Sequence, residues 1–305
     1  MAARWLPTIL VIACAAASPG LWAANPFGAD EGKFLLTGGF SDVDGSGGGG
    51  LVPLAFISGY GSNRSWGANA HYTDIRLRDL DLRAYGVSVG LFDRVELGFT
   101  RQNLDVTGTA LDGLGVTQNT YIAKVKLLGN AVYLQDAWLP QVSVGVEYKQ
   151  NGGIKDAGSV GLPGLVSPTQ LGAKGEHAAD YYLCATKILL AESVVVNAVV
   201  RYTKANQFGL LGFGGDRHGS YSAHPEFTAA YLLTRHLAVG GEYRDRPHNL
   251  SVDEESRAWD VFAGWAPTKN LSLVLAYLDI GSVLAPATAQ GRRQNGLYLS
   301  LQAGF

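Results

Sequence analysis

The chain's dominant feature is a period of two that keeps returning. Fourteen segments alternate apolar and polar side chains, each close to the ~9–11 residues that a tilted strand needs to cross a bilayer. The first seven are Lys33–Ser41, Pro53–Tyr60, Trp66–Thr73, Leu82–Phe92, Val95–Asn103, Asn119–Leu128 and Gln141–Lys149. The others are Asp180–Leu190, Val194–Lys204, His224–Thr234, Leu237–Arg244, Ala258–Ala266, Leu271–Asp279 and Gly296–Phe305. No helical period competes, and beyond the N-terminus no run approaches the ~18 apolar residues of a spanning helix. Although 47% of the residues are hydrophobic and only 16% charged, a helical membrane protein is therefore excluded.

The connections sort into two kinds. Tight turns at Ser62–Arg64, Asp93–Arg94, Ala191–Glu192, Arg235–His236 and Pro267–Asn270 alternate with long stretches at 104–118, 151–179, 205–223, 245–257 and 280–295. Only Gly129–Leu139 is overlong for a turn. Such alternation predicts an all-β, transmembrane up-and-down antiparallel β-barrel, with fourteen strands as best estimate and twelve as the alternative. An even number puts both termini in the periplasm, and closure is expected between Gly296–Phe305 and Lys33–Ser41.

Arg4 precedes an apolar run from Trp5 to Ala17, then Ser18-Pro19-Gly20 and Leu21-Trp22-Ala23. Residues 1–23 are expected to be a signal peptide cut after Ala23, leaving 24–305 as one barrel domain. Val11-Ile12-Ala13-Cys14 offers a rival lipoprotein box with a lipidated Cys14. Either way the protein leaves the cytoplasm. Cutting after Ala23 leaves Cys184 as the single cysteine, so an intramolecular disulfide is impossible.

Aromatic placement sharpens the membrane assignment. Tyr72, Tyr148, Tyr202, Tyr243 and Tyr277 close the upward strands, while Tyr85, Tyr121, Tyr182, Phe227 and Trp259 open the downward ones. All would stand at one height outside a barrel, where amphipathic rings meet lipid headgroups. Trp66, Trp265 and Phe305 would form the lower belt. Between the belts the outward positions are bland, as at Val142, Val144 and Val146, and Cys184 falls with them as an apolar filler. The terminal Phe305, after alternating apolar residues, also resembles the signal that barrel-assembly machinery reads.

The opposite face carries His71, Glu96, Lys124, Lys126, Glu147, Lys149, Lys187, Arg201, Glu226, Glu242, Arg244 and Asp260. Charge is ruinous in hydrocarbon and tolerable in a wet lumen. These groups could set a transverse field across passing solutes, or pair with one another and fill a narrow barrel. Interspersed charges and a net of −2 leave no electrostatic footprint for nucleic acid. Among the long stretches, Ala205–Ser220 places Phe208, Leu210, Leu211 and Phe213 between glycines, a candidate inward gate. The glycine-rich Asp44–Pro53 lacks the lysine and following helix of a phosphate loop and could tuck inside as a plug. His218 and Ser220 are the nearest approach to a catalytic pair, without a fixed orienting carboxylate. The histidines lack metal-ligand spacing, and no cofactor is expected.

The stretches TKANQFGLLGFGGDR, EYRDRPHNL and GLYLSLQAGF resemble a proteobacterial outer-membrane-type family known only as a domain of unknown function, number 3034 in that series. The similarity runs over essentially the whole mature chain. It implies an outer-membrane protein and brings no substrate, activity or binding residue. The function expected from the residues is a monomeric, passive pore for an unknown small solute, its partners being the lipid bilayer and the assembly machinery. A closed structural or surface-binding barrel is the first alternative, and a loop-based hydrolase the second.

Overall fold

The computed structural model describes residues 33–132, 134, 138–284, 288 and 292–305. The signal-peptide expectation at residues 1–23 and the Cys14 alternative lie outside them. Among the described residues twelve strands form the fold. They are β1 (Trp66–Arg76), β2 (Leu80–Leu91), β3 (Val95–Val106), β4 (Gly115–Leu128), β5 (Gln141–Lys155) and β6 (His177–Leu189). The second half comprises β7 (Val194–Thr203), β8 (Ser222–Thr234), β9 (Leu237–Arg244), β10 (Ala258–Thr268), β11 (Leu271–Asp279) and β12 (Asn295–Gly304). Each pairs antiparallel with its neighbours in the chain, and β12 pairs back onto β1. The result is a closed up-and-down barrel of the outer-membrane type, with no sheet edge left unpaired.

The count corrects the estimate of fourteen. Lys33–Ser41 and Pro53–Tyr60 are not strands of the wall; the chain from Phe40 to Ser62 runs inside the barrel and is buried almost throughout. An extended segment alternates its side chains whether or not a neighbouring strand pairs with it, so period two alone does not separate wall from contents. The seam moves with the count, since the last strand meets Trp66–Arg76 with Gln302 opposite His71. Phe305 continues the ladder, its N–H donating to Ala68 O and its own carbonyl accepting from Ala68 N, both at 3.0 Å.

Alternation decides which side chains face out. Val87, Leu97, Val125, Leu183, Val200 and Val261 are exposed on an apolar exterior. Near the end with the long connections, Tyr72 stands opposite Tyr85, Tyr121 opposite Tyr148, and Tyr243 between Phe227 and Trp259. Trp259 and Tyr277 bring their rings to 6.3 Å. At the other end Trp66 meets Phe305 edge-on at 4.9 Å, with Trp265 exposed on the same strand layer.

One strand is phased the other way from expectation. On β6 the inward positions are Ala178, Asp180, Tyr182, Cys184 and Thr186, so Tyr182 leaves the belt and Cys184 leaves the lipid face. Lys187 falls on the outward set. A shift of one residue exchanges the two faces of a strand. Tyr181 and Tyr182 are adjacent, and it is the exposed Tyr181 that pairs with Tyr202. Gly145 sits opposite Tyr182, where an added Cβ would come within 2.1 Å of the ring. Inside, the Tyr182 hydroxyl meets Ser46 Oγ at 2.8 Å and the ring lies 5.2 Å from the Arg201 guanidinium. Gly145→Val should therefore destabilise the barrel by about 1–3 kcal/mol through overpacking, read as an earlier guanidinium midpoint in micelles; an unchanged midpoint would mean that Tyr182 does not need that space.

Candidate functional site: the barrel interior

The interior is occupied by the chain's own glycine-rich segment, and the wall charges hold it. Glu96 on β3 accepts the N–H groups of Gly47 at 2.9 Å and Ser58 at 2.8 Å while pairing with Lys124 on β4 at 3.0 Å. Lys124 in turn donates to the carbonyls of Gly47 at 2.9 Å and Leu54 at 3.2 Å. Across the lumen, Glu242 on β9 accepts Gly50 N–H at 2.8 Å and Leu51 N–H at 2.6 Å. Neutral groups complete the set: Gln102 donates to Val43 O at 2.7 Å, Ser143 to Ala55 O at 2.7 Å and Asn197 to Pro53 O at 3.1 Å. Backbone outside the sheet finds such partners on the wall where it does not bond to itself, as Leu54 N–H does to Gly47 O at 3.0 Å.

Glycine makes the approach possible. A Cβ at Gly49 would lie 2.0 Å from Glu242 Oε1, and one at Gly47 would lie 2.9 Å from Glu96 Oε2. Asp42 closes the tip of the segment as an Asx turn, its Oδ1 accepting from Gly45 and Ser46 at 2.8 and 2.9 Å.

A second network joins the segment to the upper wall. Asp44, on the inserted chain, takes Lys149 at 3.1 Å and Arg244 at 2.9 Å. Lys149 also meets Asp180 at 3.1 Å and Glu147 at 3.3 Å. Arg201 bridges Glu147 at 2.7 Å and Glu226 at 2.5 Å, and Glu226 returns to Arg244 at 3.2 Å. Lower down, Asp93 in the β2–β3 turn holds both Lys126 and Lys33.

Of the charges expected in the lumen, all but Lys187 lie on inward positions, including His71 and Asp260. Sequence reasoning missed Asp44, Asp93 and Asp180 as their partners. The first two are not on wall strands, and Asp180 was hidden by the shifted phase of β6.

The stretch holding Phe208, Leu210, Leu211 and Phe213 folds inward over the other end, and all four are buried. Phe208 O accepts from Gln118 at 3.1 Å and Lys149 at 3.3 Å, and its ring lies 4.7 Å from Arg244 and 4.8 Å from Arg246. Gln207 and Phe208 take positive φ of 45° and 63°, a costly conformation that the surrounding bonds hold. Among them, Gln207 N donates to Glu255 Oε1 at 2.8 Å, and Arg246 donates to Gln207 Oε1 at 2.7 Å. Burial in this loop cluster pushes the Glu255 carboxyl up to about 8.

His218 does not join Ser220 in a relay; its Nδ1 lies 3.4 Å from His248 O. A different trio does line up at the same rim. Ser222 Oγ is 2.7 Å from His224 Nε2, and His224 Nδ1 is 2.8 Å from Asp245 Oδ2. Ser222 and His224 are two apart on β8 and so share a face, which is a signal available in sequence; Asp245 comes from the next strand's end and is not.

Glu96→Ala should cost about 3–5 kcal/mol, because Lys124 would keep a buried charge without its partner. The double variant Glu96→Gln with Lys124→Met should recover most of that loss in guanidinium unfolding, and equal instability of both would contradict the pairing.

Set beside known proteins, the chain matches the model of one family, described as a protein of unknown function (DUF3034), over residues 37–302. No curated protein matches it. Among solved structures, the KdgM porin aligns at 9% identity over 78% of this chain and 99% of its own, TM-score 0.47. An outer membrane channel from Pseudomonas putida F1 aligns at 13% identity over 83% and 96%, TM-score 0.46. Outer membrane phospholipase A from Escherichia coli aligns at 9% identity over 81% and 94%, TM-score 0.40. Likeness this distant lends the chain neither a solute nor a reaction.

Proposed function

The chain belongs to the DUF3034 family, which brings no activity with it, and from the geometry of the interior we propose an outer-membrane channel for small solutes that rests closed. Aromatic rings in two belts around an apolar exterior suit a bilayer of about 25 Å, with the long connections outside the cell and both termini in the periplasm. Export by a signal peptide at residues 1–23, recognition of Phe305 by the assembly machinery and function as a monomer belong to the same proposal. The observation that carries the reading is the grip of Glu96 and Glu242 on four amides of the inserted chain, those of Gly47, Ser58, Gly50 and Leu51, with Glu96 also paired to Lys124 on the wall. Charges that would line a lumen are spent on a removable occupant, so displacing it exposes a polar, charge-lined path.

Passage is passive, since the occupant is held by hydrogen bonds and ion pairs that thermal motion and ligand binding can exchange. In planar bilayers the whole protein should open rarely, whereas a variant lacking residues 40–58 should show long-lived conductance steps. A folded deletion variant that stays silent would contradict the channel and favour a barrel whose interior is purely structural.

The Ser222–His224–Asp245 alignment favours a second reading, a hydrolase at the outer rim. A base within reach of a hydroxyl and itself oriented by a carboxylate is the arrangement that activates serine. A fluorophosphonate probe should label the folded protein at Ser222 and lose that label in His224→Ala. Absence of labelling would leave the trio as a hydrogen-bonded strut between β8 and β9.

A further inference from the structure

The lower half of the interior is divided by polarity. On the β3–β5 side it is lined by Glu96, Lys124, Lys126, Gln141 and Ser143, which face the inserted chain. On the β6–β11 side the wall turns apolar, with Ile188, Val195, Ala230, Leu232, Phe262 and Val274 around a cavity of about 520 Å³. The inserted chain completes it with Phe40, Leu54 and Phe56. Glycines open the space: Gly240 leaves room for the Phe262 ring, which a Cβ there would meet at 2.8 Å, and Gly264 faces Phe40. The cavity begins at the turn rim by Thr234 and Arg235 and reaches Thr228 and Gly48–Gly50 at mid-barrel. Six residues of β8 separate those levels, about 20 Å of strand.

The volume is that of a small-molecule site, and barrel interiors are ordinarily polar. A dry apolar void of this size forfeits contacts along all its walls, and apolar cavities are known to take up apolar guests. The charges at its edge have one sign. Among the described residues Lys33, Arg235 and Lys269 border the space and no aspartate or glutamate does. Lys33 is already paired with Asp93, while Arg235 and Lys269 are in no ion pair among the described residues. Sugars and amino acids fit poorly, because beyond the hydroxyls of Thr37, Thr228 and Thr234 the wall side chains offer little to satisfy their polar groups.

From the elongated apolar cavity and its cationic rim, we infer a binding site for a single-chain fatty acid, its aliphatic tail along β8–β10 and its carboxylate at Arg235 and Lys269. The site goes beyond the channel reading and stands whether or not the barrel conducts. The tail fills space that no side chain of the described residues fills, and the head remains at the wet rim, where a charge-assisted bond forms without burying an ion.

Photo-crosslinking tests this on the full chain in lipid nanodiscs, using dodecanoic acid with a diazirine near its ω end and peptide mapping of the adducts. Adducts are expected on the peptides carrying Leu232 and Phe262, and excess dodecanoate should displace the probe where dodecyltrimethylammonium does not. Ala238→Trp, and independently Ala230→Phe, should lower interior labelling about tenfold by filling the cavity, and Arg235→Glu with Lys269→Glu should weaken dodecanoate competition about tenfold. Folding of each variant is checked by heat-modifiable gel migration. Adducts confined to outer-face residues such as Val261 and Leu275, labelling that both filling variants leave intact, or equal displacement by the cationic amphiphile would overturn the site. Labelling that appears only when the chain is truncated to begin at Lys33 would also overturn it, because the chain itself would then be the occupant.

Discussion

Backbone placed inside a barrel has no sheet to join, and everything about this interior follows from that. Each amide and carbonyl of the inserted segment must be met within the segment, as Val43 N–H is by Gly50 O at 2.9 Å, or by a wall side chain, or be left unsatisfied at a cost of about 1–3 kcal/mol. The wall answers with carboxylates aimed at N–H groups and with lysine, arginine, glutamine and asparagine aimed at carbonyls. Charges alone would hold one another poorly, since desolvation of a buried ion pair offsets most of its attraction. They become useful once each also satisfies a peptide group, as Glu96 does twice.

The two closures share their cations. Arg244 pairs with Asp44, donates to Leu51 O at 3.0 Å, and lies under the Phe208 ring. Lys149 reaches both Asp44 and Phe208 O. Inserted segment and inward loop therefore stand on the same side chains, and moving one changes the partners of the other. In the channel proposed here, opening would therefore involve both together.

Much of this was legible in the sequence because alternation and aromatic position are local signals. The strands from Trp66 onward, the outward tyrosines at 72, 85, 121, 148, 202, 243 and 277, and the inward side of most charges follow from period two alone. What failed needed a partner across space. Tyr181 and Tyr182 both satisfy the belt locally, and only Gly145 on the neighbouring strand shows which ring has room inside. Pro53–Tyr60 alternates because Leu54 and Phe56 turn to the apolar cavity while Ala55 is bonded through its backbone to Thr186, Gln141 and Ser143. Glycine at 47, 49 and 50 reads as slackness in sequence and proves to be close approach to carboxylates, which no count of glycines distinguishes.

Residues 40–62 live inside the barrel, bonded to its wall. Amide hydrogen exchange followed by NMR on the refolded protein addresses it residue by residue, with the amides of Gly47, Gly50, Leu51, Ala55 and Ser58 as reporters. They are expected to exchange as slowly as those of neighbouring wall strands such as β3 and β9. Exchange at the rate of a free chain would place the segment outside the barrel and contradict it.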